Sequence, residues 1–128
     1  MCRRHHIPAI ALIALLGCSR EAPTYRVTGS VTWNGEPIPN GVINFIAVDD
    51  AVAPDTAKIV GGRYDARVKA GRKKIEVYAD REKKVNTVMN QGEREGYIPP
   101  RFNARSTIFR EVMPGGENQF DFSLSDKD

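Results

Sequence analysis

Beyond residue 18 this 128-residue chain contains neither histidine nor cysteine: His5, His6 and Cys2 all come earlier, and Cys18 stands alone. Everything downstream therefore lacks the parts for a Ser-His-Asp triad, a Cys-His pair, a histidine zinc site or an internal disulfide. Long apolar runs are also missing. The longest, Ile7 to Leu16, has ten residues and is interrupted by Pro8. As a helix it would cover about 15 Å, roughly half of a bilayer's hydrocarbon core, which excludes a permanent transmembrane span. An excess of basic charge is lacking as well. The formal charge of +3 includes Arg3 and Arg4, and from residue 18 onward 17 Lys+Arg face 16 Asp+Glu. That balance gives no electrostatic basis for holding a nucleic-acid backbone. Finally, no stretch after Cys18 shows a helical period with caps.

What the N-terminus does have is ordered. Arg3 and Arg4, with His5 and His6, precede the apolar run, and Leu15-Leu16-Gly17-Cys18 closes it. These are the parts of a signal peptide in sequence. The last four resemble a bacterial lipobox, in which the precursor is cut before a cysteine whose thiol then receives lipid. Leu15 fits ordinary signal cleavage poorly, since that favours small residues both one and three positions before the cut. On this reading residues 1–17 are a lipoprotein signal peptide, with Leu15, Leu16 and Gly17 as the lipobox. Residues 18–24 form a short lipidated linker, and Cys18 is the attachment site. Acylation also removes a lone reactive thiol, and two or more acyl chains anchor stably where one does not. Ser19, in place of Asp, favours the outer membrane by the same resemblance. The linker from Ser19 to Thr24 spans at most about 20 Å when extended, so the folded part is expected close to the membrane.

From Tyr25 the pattern is short alternating runs between turn residues, which predicts an all-β domain over residues 25–126. Tyr25, Val27, Gly29, Val31 and Trp33 share one face of the first run, and Asn34-Gly35 supplies a tight turn. Gly41 to Val48 is a second strand with Ile43, Phe45 and Ala47 inward. Gly61-Gly62 joins Lys58–Val60 to Arg63–Val68 in a hairpin. Lys73 to Ala79 alternates with Ile75, Val77 and Ala79 inward. Thr107–Val112 and Gln119–Leu124 flank Pro114-Gly115-Gly116, and Phe120, Phe122 and Leu124 share a face. Trp33, Phe45, Phe120 and Phe122 are the expected large core residues. About seven strands in roughly 100 residues predict one antiparallel, Greek-key-type β-sandwich. Arg110 breaks the pattern, falling between Ile108 and Val112 where a core residue is expected.

The run V-T-G-S-V-T-W-N-G-E-P-I-P-N-G-V-I-N-F-I, followed by G-G-R-Y-D-A-R-V-K-A-G-R-K-K-I-E-V, resembles the carboxypeptidase regulatory-like domains. I-P-P-R-F-N-A-R-S-T-I and P-G-G-E-N-Q-F-D-F-S-L are similar to small bacterial lipoproteins carrying one such domain. The resemblance implies a seven-stranded transthyretin-like sandwich. It also implies a non-catalytic module, with no cofactor, that serves as a spacer or an interaction domain. A related type of sandwich forms a Lys–Asn isopeptide bond; here the first strand has Arg26 and no lysine, so Asn118 has no such partner.

Candidate sites are few. The connection Asp80 to Asn103 is unusually long for a compact sandwich, and its Tyr97-Ile-Pro-Pro-Arg-Phe-Asn103 end is stiffened by two prolines. It reads either as a loop packed down by Ile98 and Phe102, or as a binding surface built from Tyr97, Arg101 and Asn103. Asp49, Asp50 and Asp55 carry the ligand chemistry of a Ca²⁺ loop without its spacing, and read as a solvated acidic loop. Glu93, Glu95 and Asp121 show no sign of converging as a hydrolase pair. The sequence therefore predicts a membrane-anchored envelope lipoprotein, not an enzyme and without a metal, that acts as a structural or protein-interaction module. The alternative is a carbohydrate or peptidoglycan-fragment module using loop 80–103. Exposure of Trp33, Tyr64, Tyr78 and Tyr97 discriminates between the two, because a glycan site presents aromatic faces beside polar groups.

Overall fold

The computed structural model describes residues 22–49, 52–83 and 92–127. The lipobox Leu15-Leu16-Gly17, Cys18 and Asp50 lie outside the described residues. Apart from a 3-10 turn at Pro100–Phe102, the described residues are all-β, and their strands are β1 (Thr24–Trp33), β2 (Glu36–Pro37), β3 (Asn40–Ala47), β4 (Asp55–Val60), β5 (Arg63–Lys69), β6 (Gly71–Glu82), β7 (Arg94–Gly96), β8 (Phe109–Val112), β9 (Asn118–Gln119) and β10 (Phe122–Leu124). Seven of them follow the order β10-β1-β5-β4-β3-β6-β7 in one sheet that curls into a half-barrel. β8 runs along the start of β6, and β9 along the middle of β1.

Alternation places most of the expected residues inward, with Val68 beside them and Ala47 only half-buried. Val27 and Val31 on β1, Ile43 and Phe45 on β3, Val68 on β5, and Ile75 and Val77 on β6 are all fully buried. Each such side chain contributes roughly 1.5–3 kcal/mol of gross burial. Two of the four expected aromatic core residues are displaced. Phe45 and Phe122 are buried, but Trp33 and Phe120 are half-buried and pack against the core from its margin. Trp33 ends β1, where the sheet no longer covers its full ring. Arg110 keeps the inward register opposite Lys73 and is half-buried. Its guanidinium lies 5.1 Å from the Phe122 ring centre and donates to the Phe109 carbonyl at 2.8 Å, so a cation–π contact replaces the missing apolar residue.

Three differences from the sequence reading matter for function. The final run is two short strands, and both lie parallel to β1 rather than antiparallel. The break falls at Phe120-Asp121, where the Asp121 carboxylate accepts Ser30 N–H at 2.9 Å and so stands in for a ladder carbonyl. Next, residues 80–103 are not one open loop. β6 continues to Glu82 and pairs with β7 (Asp80↔Gly96, Arg81↔Glu95, Glu82↔Arg94), so the mixed charges become ion pairs: Arg94–Asp80, Arg81–Glu95 and Lys83–Glu93. Residues 84–91 lie outside the described residues. Lastly, β4 and β5 are bridged at Val60↔Arg63 only, beside the Gly61-Gly62 turn, and part beyond it. At the far end Asp55 ties them again, accepting Lys69 N–H at 2.9 Å and Lys69 Nζ at 2.8 Å.

Inside the half-barrel, the Tyr64 hydroxyl donates to the Phe120 carbonyl at 2.6 Å. Burial, followed by the nearby Asp121 charge, pushes this hydroxyl well above the ordinary tyrosine range. The unfolded chain releases the proton near pH 10, and the folded chain only at higher pH. The stability carried by the neutral hydroxyl is thus fully present below about pH 10 and is lost as pH rises beyond it. Urea unfolding near pH 11 is expected to show about 1.4 kcal/mol less stability from this group than near pH 9. Tyr64→Phe, with nothing to titrate, removes that share of the loss.

Candidate functional site

The sequence-nominated trio is engaged in packing. The Tyr97 ring is half-buried, edge-on to Trp33 at 6.3 Å, with the Arg81 guanidinium 5.0 Å from its centre. Arg101 lies 4.7 Å from the Phe102 ring centre and donates through Nη2 to the Ser125 carbonyl. Phe102 in turn packs edge-on against Trp33 at 6.1 Å. Asn103 is 8% exposed. Its Nδ2 donates to the carbonyls of Val77 (3.3 Å) and Ile98 (3.2 Å), and its Oδ1 accepts the Ala104 N–H at 2.8 Å. Tyr97 and, through Phe102, Arg101 gather around Trp33, while Asn103 is turned into the interior. Ile98 is buried beside them, so this segment is folded down onto β6. Of the four aromatic residues that discriminate the two readings, Tyr64 is buried, Trp33 and Tyr97 are half-buried, and Tyr78 is 40% exposed.

The acidic candidates are dispersed. Asp55 is committed to Lys69, Asp121 to Ser30, and Glu93 and Glu95 to the β6–β7 hairpin. Among the described residues no group of three or more His, Cys, Asp or Glu side chains is placed to hold a metal ion. Asn118 is buried and bonds to Met113, accepting its N–H at 2.9 Å and donating to its carbonyl at 3.0 Å. The side-chain amide thereby supplies a ladder-like pair where β8 turns toward β9.

A different constellation emerges where β4 and β5 part. The opening forms a cleft of about 720 Å³ bordered by Arg26 and Thr28 of β1, Lys58 of β4, and Arg63, Asp65 and Arg67 of β5. Arg26 holds Asp65 with both ends of its fork, Nε to Oδ1 at 3.1 Å and Nη2 to Oδ2 at 2.8 Å. The hydrogen bond from Arg26 and the charges of Arg26 and Arg67 keep the Asp65 carboxyl below its ordinary range. The register sets Arg26 directly opposite Arg67, and Ser30 opposite Arg63. Like charges directly opposite on a ladder weaken the pairing, so this arrangement works against folding. Among the described residues Lys58, Arg63 and Arg67 have no ion-pair partner, which leaves four cations against one carboxylate around the cleft. The sequence contains a signal for it: in Arg63-Tyr-Asp-Ala-Arg67, inward Tyr64 and Ala66 force both arginines outward. The overall charge balance conceals this local separation, and only the strand register brings Arg26 to it.

Comparison by sequence finds no matching protein family, and no curated protein matches either. Two solved structures are similar in part. One is a DUF3823 family protein from Parabacteroides merdae, at 13% identity and a TM-score of 0.41, over 82% of this chain and 46% of that one. The other is a 9R-lipoxygenase from Cyanothece, at 14% identity and a TM-score of 0.36, over 84% of this chain and 18% of that one. The chain thus spans about half the length of the first and less than a fifth of the second.

Proposed function

We propose that this protein is an exported, lipid-anchored lipoprotein of the bacterial envelope, in the outer membrane. Its domain is a transthyretin-like sandwich that acts as a non-catalytic interaction module and holds an acidic segment of a partner protein in the β1–β4–β5 cleft. The sandwich reading takes β10-β1-β5 and β4-β3-β6-β7 as its two layers, and the single ladder pair between β4 and β5, Val60↔Arg63, supports it. The observation that carries the binding function is the charge of the cleft, four cations around one carboxylate, kept despite a like-charged cross-strand pair. A partner carboxylate facing Arg63 and Arg67 would relieve that repulsion, and electrostatic complementarity of this kind sets association rate and specificity.

The test uses fluorescent poly-L-glutamate as the probe at low salt. The Arg63→Glu/Arg67→Glu pair is expected to weaken its binding about tenfold, with salt producing the same loss in the unaltered protein. Binding that is unchanged by the pair would overturn the assignment to this cleft. The second reading, a glycan module, is favoured by one observation. Tyr78 is exposed in a groove of about 460 Å³, beside Val60, Asn40 and Asp80. Tyr78→Ala is then the informative variant, with peptidoglycan fragments as the probe.

A further inference from the structure

Among the described residues, three of the five large apolar side chains that stand exposed gather at one end of the domain. Val48 is 47% exposed, Val52 46% and Met113 54%. Strand register fixes their position. Val48 follows the last residue of β3, whose Ala47 pairs with Lys73; Met113 follows Val112, which pairs with Gly71; and Thr24, the first residue of β1, pairs with Lys69. The N-terminal segment therefore leaves the domain at the same end. There Ala22, Pro23, Val48, Val52 and Ala70 border a cleft of about 250 Å³, with Asp49 and Arg72 at its margin.

The same cleft contains a second, independent feature. Lys73 shares the inward face of β6 with Ile75 and Val77, is 3% exposed, and borders the cleft. Among the described residues it has no hydrogen-bond or ion-pair partner. Its stem is buried while its ammonium is not fully enclosed and reaches the cleft, so a cation without a counter-charge there is placed to meet an anion.

We propose that this end of the domain rests on an anionic phospholipid surface, with Val48, Val52 and Met113 in the interface and Lys73 against a lipid phosphate. The inference depends on the lipid-anchor reading and extends it, because it fixes which face of the domain meets the membrane. Apolar side chains bordering a cation are what an interfacial surface needs, and a linker of at most about 20 Å keeps this end within reach of the bilayer. The β1–β4–β5 cleft opens along the outside of the strands, so seating on this end leaves it accessible.

The test takes the full chain expressed with its own signal and reconstituted in phosphatidylethanolamine/phosphatidylglycerol vesicles. After processing and acylation no free thiol remains, so Val52→Cys or Val60→Cys carries a single environment-sensitive fluorophore; Val60 lies at the opposite end of β4. The probe at position 52 is expected to shift to the blue and to be quenched by lipid-borne quencher, while the probe at 60 reports water. Lys73→Gln is expected to lower the ratio of seated to unseated protein about fivefold, and only when phosphatidylglycerol is present. Vesicle flotation reads the anchor separately. Protein that floats with both probes in water keeps the anchor and overturns the seat, and protein that does not float overturns both.

Discussion

Gly29→Ala is expected to cost about 3 kcal/mol or more. Gly29 lies on β1 where the last segment of the chain comes against it. A Cβ there would sit 1.8 Å from the Phe120 carbonyl oxygen and 2.8 Å from the Tyr64 hydroxyl. The first of these contacts is with backbone, so no rotamer change relieves it. Relief requires β1 to move away from residues 120–121, which would break the Tyr64 hydrogen bond to Phe120 and strain the Asp121 bond to Ser30 together. For a domain of this size the midpoint of thermal unfolding is expected to fall by roughly 10–20 °C. Gly96→Ala is the control, because its Cβ would meet nothing closer than the Ala79 carbonyl at 3.8 Å. Equal melting of Gly29→Ala and the unaltered protein would show that β1 and the Phe120 backbone are farther apart than described.

The second large effect concerns Asn103, which the sequence nominated as a ligand contact. Its amide reaches three backbone groups, the carbonyls of Val77 and Ile98 and the N–H of Ala104, in a buried position. Asn103→Ala strands those groups away from water and is expected to cost about 3 kcal/mol, given about 1–3 kcal/mol for a buried polar group left without its partner. Asn103→Asp fares no better, since a carboxylate cannot donate to two carbonyls. Urea unfolding reads both variants. A residue held for ligand contact gives the opposite result, with stability kept and binding lost. The pin matters because it fastens the segment after β7 to β6 and so holds Phe102 and Tyr97 against Trp33.

Much of this architecture was legible from alternation. Val27 and Val31, Ile43 and Phe45, Tyr64 and Val68, and Ile75 and Val77 each stand two or four residues apart and lie inward together. The Asn34-Gly35 and Gly61-Gly62 turns were legible for a backbone reason: all four residues have positive φ. What escaped is non-local. Nothing in Arg94-Glu-Gly96 alternates, and this strand is recognised only through its pairing with Asp80–Glu82 and the ion pairs across it. The parallel placement of Asn118–Gln119 and Phe122–Leu124 beside β1 is likewise a property of chain topology, invisible in a short window.

The site divides in the same way. Arg63 and Arg67 could have been placed outward by parity, but Arg26 joins them only through the β1–β5 register. Lys73 had a visible signal, because it shares parity with inward Ile75 and Val77. Its charge argues for the surface, and the open end of the half-barrel reconciles the two by giving its ammonium a cleft to border. Asn103 was open to two readings, because a polar residue next to prolines and aromatic rings suits both a packed turn and a binding loop. Its amide satisfies backbone groups that the turn around Pro100–Phe102 leaves without partners.

Both the proposed anchor and the proposed membrane seat require Cys18 to be the first residue of a lipidated mature chain. Mass measurement of the N-terminal peptide, from protein expressed with its own signal in a bacterial host, tests that directly. The predicted result is a peptide that begins at Cys18 and carries acyl chains, with Cys18→Ser leaving the precursor uncleaved and unlipidated. A peptide that retains Met1, or one that begins at Cys18 without lipid, would contradict the anchor and remove the membrane from the account.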